Sequence, residues 1–114
     1  MRRESLTTEE VAEVLGRPAS SVRRLKARGD LYGLDDGPGR GSRFPAWQFT
    51  GDHRVTPGLR AVVAALPDFW SPASVERFMT RPRERLDDCS PVDWLAQGGD
   101  VAPVVAAAAE QAWR

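Results

Sequence analysis

The residues whose types and spacing suggest chemistry lie in two short stretches, ASSVRRLKARG and DDGPGRGSR. The first holds Ser20, Ser21, Arg23, Arg24, Lys26 and Arg28, and the second holds Arg40 and Arg43 among glycines. An arginine can grip guanine O6 and N7 with both arms of its guanidinium, and a serine hydroxyl reaches either a base edge or a phosphate. Glycines let a backbone approach a sugar-phosphate chain, while nearby arginines neutralise phosphate or enter the minor groove. The chemistry implied is contact with double-stranded DNA.

Other chemistries fit less well. Gly37-Pro38-Gly39-Arg40-Gly41-Ser42 is glycine-rich but lacks the Gly-Lys-Ser/Thr ending of a phosphate-binding loop, and no helix is predicted to follow it. Asp35-Asp36 and Asp87-Asp88 are adjacent pairs with only His53 as an imidazole, which favours solvated loop acids over metal ligands. His53 and Cys89 lack a third, orienting group for nucleophilic catalysis. Neither a catalytic residue, a metal site nor a cofactor is expected.

The elements that must carry the arginines are legible. Thr7 and Glu10 fit a capping box, Leu6, Val11, Val14 and Leu15 form an apolar stripe, and Gly16 closes the first helix. A tight Arg17-Pro18-Ala19 turn precedes a second helix over about Pro18 to Ala27, capped by Ser20 or its neighbour and stopped at Gly29. On it Val22 and Leu25 face the core, Ser20, Arg23, Arg24 and Ala27 face outward, and Lys26 and Arg28 flank them. Leu31–Leu34 and Arg43–Trp47 read as two extended pieces of a hairpin, with Pro45 limiting the second to an edge. Trp47 and Phe49 are expected to fold back on the first helices.

Beyond residue 55 the pattern is helical. Thr56-Pro57, Ser71-Pro72 and Ser90-Pro91 each offer a hydroxyl N-cap with proline at N1. A last helix from Asp100 carries Val101, Val104, Val105, Ala108 and Ala112 on one face. The expected fold is therefore mainly α: a winged helix-turn-helix of two helices and a short β-hairpin wing over residues 1–55, then a small helical module over 56–114. Of Trp70, Trp94 and Trp113, the first reading is core packing. Trp94 and Trp113 are also candidates for a partner contact, with the last helix a candidate homodimer seam.

The totals agree. Residues 1–60 hold eleven basic and eight acidic side chains and residues 61–114 hold five and eight, which places the basic surplus in the half with the arginine helix. A single cysteine forms neither a disulfide nor a cysteine-based zinc site within one chain. No apolar run approaches the roughly 20 residues of a membrane span, and MRRESLTTEE lacks the apolar core of a signal peptide. A cytoplasmic protein without membrane contact is expected.

Residues 5–49, with LTTEEVAEVLGRPASSVRRLKARGDL and a wing ending SRFPAWQF, resemble the excisionase and MerR-like winged helix-turn-helix proteins. The resemblance implies that the second helix reads the major groove through Ser20, Ser21, Arg23, Arg24 and Lys26, with Arg40 and Arg43 gripping the backbone from the wing. Residues 69–110, FWSPASVERFMTRPRERLDDCSPVDWLAQGGDVAPVVAAAAE, resemble the C-terminal module of Xre/MbcA/ParS-like antitoxins, although Phe78-Met79 stand at that family's aromatic-leucine position. That resemblance implies a toxin enzyme as partner, bound and neutralised by the helical module, with autorepression through the DNA-binding half. Three roles follow as expectations: a transcriptional regulator, an antitoxin, or an excisionase-like architectural protein.

Overall fold

Thr7 does two jobs at once. It ends a short strand, β1 (Ser5–Thr7), and caps helix α1 (Thr8–Leu15). In the computed structural model, which describes residues 4–113, the Thr7 hydroxyl accepts the Glu10 N–H at 3.1 Å and the Glu10 carboxylate accepts the Thr7 N–H at 2.9 Å. This is the expected capping box, satisfying two backbone donors that have no partner inside the helix. Gly16, at φ 63°, takes the left-handed conformation and donates its N–H to the Ala12 and Glu13 carbonyls, ending α1.

The turn through Arg17 delivers the chain into α2 (Ala19–Ala27). Here the expected hydroxyl cap is absent. Pro18 occupies the N-cap position without a side-chain hydrogen bond, and its carbonyl takes the Ser21 and Val22 N–H groups at 3.0 and 3.3 Å. Ser20 lies inside the helix, exposed. Val22 is fully buried and joins Val11, Leu31 and Phe44 in a core, with Leu6, Leu15, Leu25, Phe49 and Val55 packed around them. Burying a side chain of this size stabilises by about 1.5–3 kcal/mol.

The hairpin is shorter than the apolar pattern suggests. Only Leu34–Asp35 forms β2, and Ser42–Pro45 forms β3, which gives way to a 3-10 turn at Ala46–Gln48. Leu31 is a core residue instead of a strand residue. A further correction concerns the sheet: the order is β1-β3-β2, all antiparallel, so β3 is the central strand and Pro45 does not mark an edge. Position explains the tolerance. The Ala46 N–H donates to Glu4 O at 2.9 Å, which makes the next pair, Ser5 with Pro45, one that exchanges no hydrogen bonds. On its other side, β2 has already ended opposite Arg43. The missing proline N–H has no partner to lose.

The chain separates into two compact units, one ending at Val55 and one beginning at Thr56. The second is helical: α3 (Leu59–Ala65), α4 (Pro72–Thr80), α5 (Pro91–Ala96) and α6 (Val101–Glu110), with 3-10 turns at Glu84–Leu86 and Gln111–Trp113. Ser71 and Ser90 cap α4 and α5 through the Ser74 and Asp93 N–H groups, each followed by proline in the first turn, as the sequence predicts. Asp100 likewise caps α6 through Ala102. The Thr56-Pro57 start is different. Gly58, at φ 75°, is the N-cap of α3, while Thr56 is buried and its carbonyl accepts the Leu59 N–H.

Helix α3 packs on α6 and α4 on α5 around Leu59, Val62, Phe78, Met79, Leu86, Leu95 and Val104. The buried face of α6 is Val104, Ala107 and Ala108, whereas Val101 and Val105 are half-buried and Ala112 is exposed beyond the helix end. Small alanines at this face let α6 approach its neighbours closely. The molecule is mainly helical with a small three-stranded sheet. Among the described residues no helix is long and apolar enough to cross a membrane.

Candidate nucleic-acid interface

The outward face of α2 is built by its inward one. Because Val22 is sealed in the core and Leu25 packs beside it, helical geometry turns Ser20, Arg23, Arg24 and Ala27 to solvent, and all four are exposed. Ser21 and Lys26 are half-buried, while Arg28, Arg40 and Arg43 are exposed. Of the eight residues singled out in the sequence, Arg23 and Arg40 come together: with Thr8, Glu9, Gly39, Gly41 and Ser42 they line one open cleft of about 340 Å³. It joins the start of α1, the middle of α2 and the tip of the hairpin.

That tip is held open by glycine. Gly37, Gly39 and Gly41 have φ of 108°, 76° and 77°, and no atom lies within 4 Å of where a β-carbon would sit on any of them. The Asp36 N–H donates to Gly41 O at 3.1 Å and the Arg40 N–H to Gly37 O at 3.1 Å, closing the loop. Strand β3 follows the loop, so Gly37–Ser42 is a hairpin tip and not a phosphate-binding loop, which opens a helix.

Not all of the arginines and lysines are equally available. Lys26 crosses to the hairpin and hydrogen-bonds Asp35, and also reaches Ser42 Oγ at 3.0 Å. Lys26 beside Asp35 holds that carboxyl below its ordinary range, through the hydrogen bond first and charge second. Arg43 Nε donates to Asp36 at 2.6 Å, and Arg28 sits 3.5 Å from Asp30. Gly33 makes the crossing possible: a β-carbon there would meet the Lys26 chain at 2.9 Å and the Phe44 ring at 2.8 Å. Arg23, Arg24 and Arg40 form no ion pair among the described residues.

Two contributors escaped the sequence reading. Asp35 and Asp36, which the sequence pattern suggests are solvated loop acids, tie the hairpin to α2 and to β3. Asp35 lies directly opposite Ser42 in the pairing register, a placement that only the folded hairpin reveals. Gln48 is the other. Completely buried, it donates to Tyr32 O at 2.7 Å and Pro45 O at 3.0 Å and accepts the Tyr32 N–H at 2.8 Å, fixing the segment between α2 and β2.

The remaining candidates are spread out. Trp94 is half-buried, with its indole N–H donating to Asp100 O at 2.8 Å, whereas Trp113 is 88% exposed. His53 lies on an exposed loop and Cys89 is half-buried between the Glu84–Leu86 turn and α5. Among the described residues no group of three His, Cys, Asp or Glu side chains forms a metal-binding cluster.

No family model matches the chain, and no curated protein matches it. Among solved structures the fold is similar to the NMR structure of Rv2175c, with a TM-score of 0.64 and 25% sequence identity over 95% of this chain and 80% of that one. The likeness therefore runs through both units.

Proposed function

We propose that the chain is a DNA-binding protein, most simply a transcriptional regulator, that lays α2 in the major groove and sets the hairpin tip on the adjacent backbone. The observation that carries this reading is the juxtaposition of Arg23 with the Gly39-Arg40-Gly41 tip in one cleft, with Arg24 exposed next to Arg23 on α2 and all three arginines unpaired among the described residues. An α-helix fits the major groove, and arginines projecting from it read guanine edges. Ser20 and Ser21 near the start of α2 supply hydroxyls to a base or phosphate. The paired Lys26, Arg28 and Arg43 shape the surface and contribute long-range attraction.

The test is fluorescence anisotropy of a labelled duplex from upstream of the gene, beside a scrambled duplex. The native duplex binds more tightly, and Arg23→Ala with Arg24→Ala abolishes the difference while the far-UV circular dichroism stays the same. If about four to six phosphates are engaged, log K falls with log salt at a slope of roughly −4 to −5. Unchanged affinity in the double variant overturns the proposal. Equal, salt-sensitive binding to both duplexes moves it to the architectural role.

A second role, binding of a protein partner such as a toxin or a second copy, is supported by two large apolar side chains left in solvent on the helical unit, Phe69 at 80% and Trp113 at 88% exposure. Co-purification of a neighbouring gene's product with the wild type but not with Trp113→Ala supports a toxin partner.

A further inference from the structure

We infer that a cleft along α4 binds a phosphate monoester of mononucleotide size, a site independent of the proposed DNA-binding face. It is an open cleft of about 300 Å³ lined by Trp70, Ser74, Arg77, Phe78, Arg81, Arg83 and Gln111. Helical spacing brings Ser74, Arg77 and Phe78 onto one side of α4, Arg81 follows as its C-cap, and Trp70 stands just before its Ser71 cap. Arg83 is brought in from the next segment by backbone pairing with Cys89, its N–H donating to Cys89 O at 3.1 Å.

The lining combines two kinds of recognition. The Trp70 indole meets the Phe78 ring edge-on, with centroids 6.2 Å apart, and the Arg83 guanidinium lies 4.1 Å from the Phe78 centroid, stacked on that ring. This fixes one guanidinium against an aromatic wall. Arg77 and Arg81 are exposed and form no ion pair among the described residues. Three arginines and no carboxylate line the cleft.

The exposed Arg77 and Arg81 guanidiniums suit a dianionic phosphoryl group, whose oxygens accept their forked N–H donors. The half-buried Trp70 ring offers a flat apolar face for an attached heterocycle. A long polyanion fits less well, because residues 56–114 carry six basic and eight acidic side chains in all, and only three of the six basic ones line this cleft.

Calorimetric or NMR titration of the full chain with adenosine 5′-monophosphate tests it. Saturable binding is expected, weaker for ribose 5-phosphate and for inorganic phosphate, and weaker again for adenosine. Arg77→Ala with Arg81→Ala lowers the affinity roughly tenfold or more while the thermal midpoint is kept. Trp70→Phe narrows the preference for the nucleotide over ribose 5-phosphate. Arg23→Ala with Arg24→Ala leaves the titration unchanged, which separates this site from the DNA-binding proposal. Absence of saturable binding, equal affinity for inorganic phosphate, or indifference to the Arg77/Arg81 variant overturns the inference. Duplex DNA that displaces the nucleotide through the same arginines overturns it in favour of a second DNA contact.

Discussion

The side-chain amide of Gln48 pairs with the backbone of Tyr32 in both directions, accepting its N–H at 2.8 Å and donating to its carbonyl at 2.7 Å. Tyr32 lies outside any strand, so Gln48 supplies the partners a neighbouring strand would otherwise provide. The Tyr32 ring in turn lies 5.7 Å from that of Trp47, next to Gln48 in sequence, and burial raises the pKa of the Tyr32 hydroxyl. Gln48 thereby sets the path of the chain from α2 into the hairpin.

Replacing Gln48 with Met keeps the volume and removes the pairing. It leaves half-buried backbone groups of Tyr32 and the buried Pro45 carbonyl without this partner, at a cost of up to about 1–3 kcal/mol per unsatisfied group. A loss of about 2–4 kcal/mol is expected in urea denaturation. A loss below about 0.5 kcal/mol, the scale of an ordinary surface change, contradicts the clamp.

The ion pairs that tie the hairpin to α2 and β3 restrain basic groups on the proposed DNA face. Asp35→Asn with Asp36→Asn releases Lys26 and Arg43 and removes two acidic charges from the hairpin. The DNA reading predicts tighter binding and a steeper salt dependence, by roughly 0.9 in slope for each phosphate newly engaged. Anisotropy titrations over a salt series measure both. Weaker binding with an unchanged slope means that the pairs serve mainly to orient the hairpin.

Trp94 and Gly99 make a steric prediction within the helical unit. A β-carbon on Gly99 would lie 2.5 Å from the Trp94 indole, which is held by its hydrogen bond to Asp100 O. Gly99→Ala is expected to destabilise by about 1–3 kcal/mol through overpacking. Adding Trp94→Leu should restore part of that loss, and the double-mutant cycle reports the coupling. Strict additivity of the two substitutions counts against the contact.

What the sequence reveals follows from how local each feature is. Thr7 with Glu10, Ser71 with Pro72 and Ser90 with Pro91 are caps decided within a few residues, and they form as read; the last helix starts at Asp100, which caps it. The exposed face of α2 follows from Val22 and Leu25 alone. Strand β1 was hidden because three residues show no period, and Leu6 also fits the helical stripe it precedes. Thr56-Pro57 carries the same cap signature as the two true ones, yet Gly58 in the left-handed region delays the helix. Pro45 looks like an edge marker until β1 is known to pair across from it. The burial of Gln48 and the Lys26–Asp35 pair depend on chain segments brought together by the fold, for which no local signal exists.

The Lys26–Asp35 pair also gives a pH prediction with a definite sign. Lys26 and Ser42 lower the Asp35 pKa in the folded protein, so the carboxylate form binds more strongly there than in the unfolded chain. The restraint is fully present above the ordinary carboxylate value near about pH 4 and is lost as pH falls through the lower folded value. At neutral pH the Lys26–Asp35 tie is therefore in place, and it is lost only as Asp35 is protonated on the acid side. Carboxyl-detected NMR should place the Asp35 midpoint below the ordinary aspartate value. Lys26→Met should raise it toward the ordinary range, since the hydrogen bond and the charge leave together. A midpoint that does not move in Lys26→Met means the pair does not persist in solution, and Lys26 then belongs with Arg23, Arg24 and Arg40 among the cations free to meet phosphate.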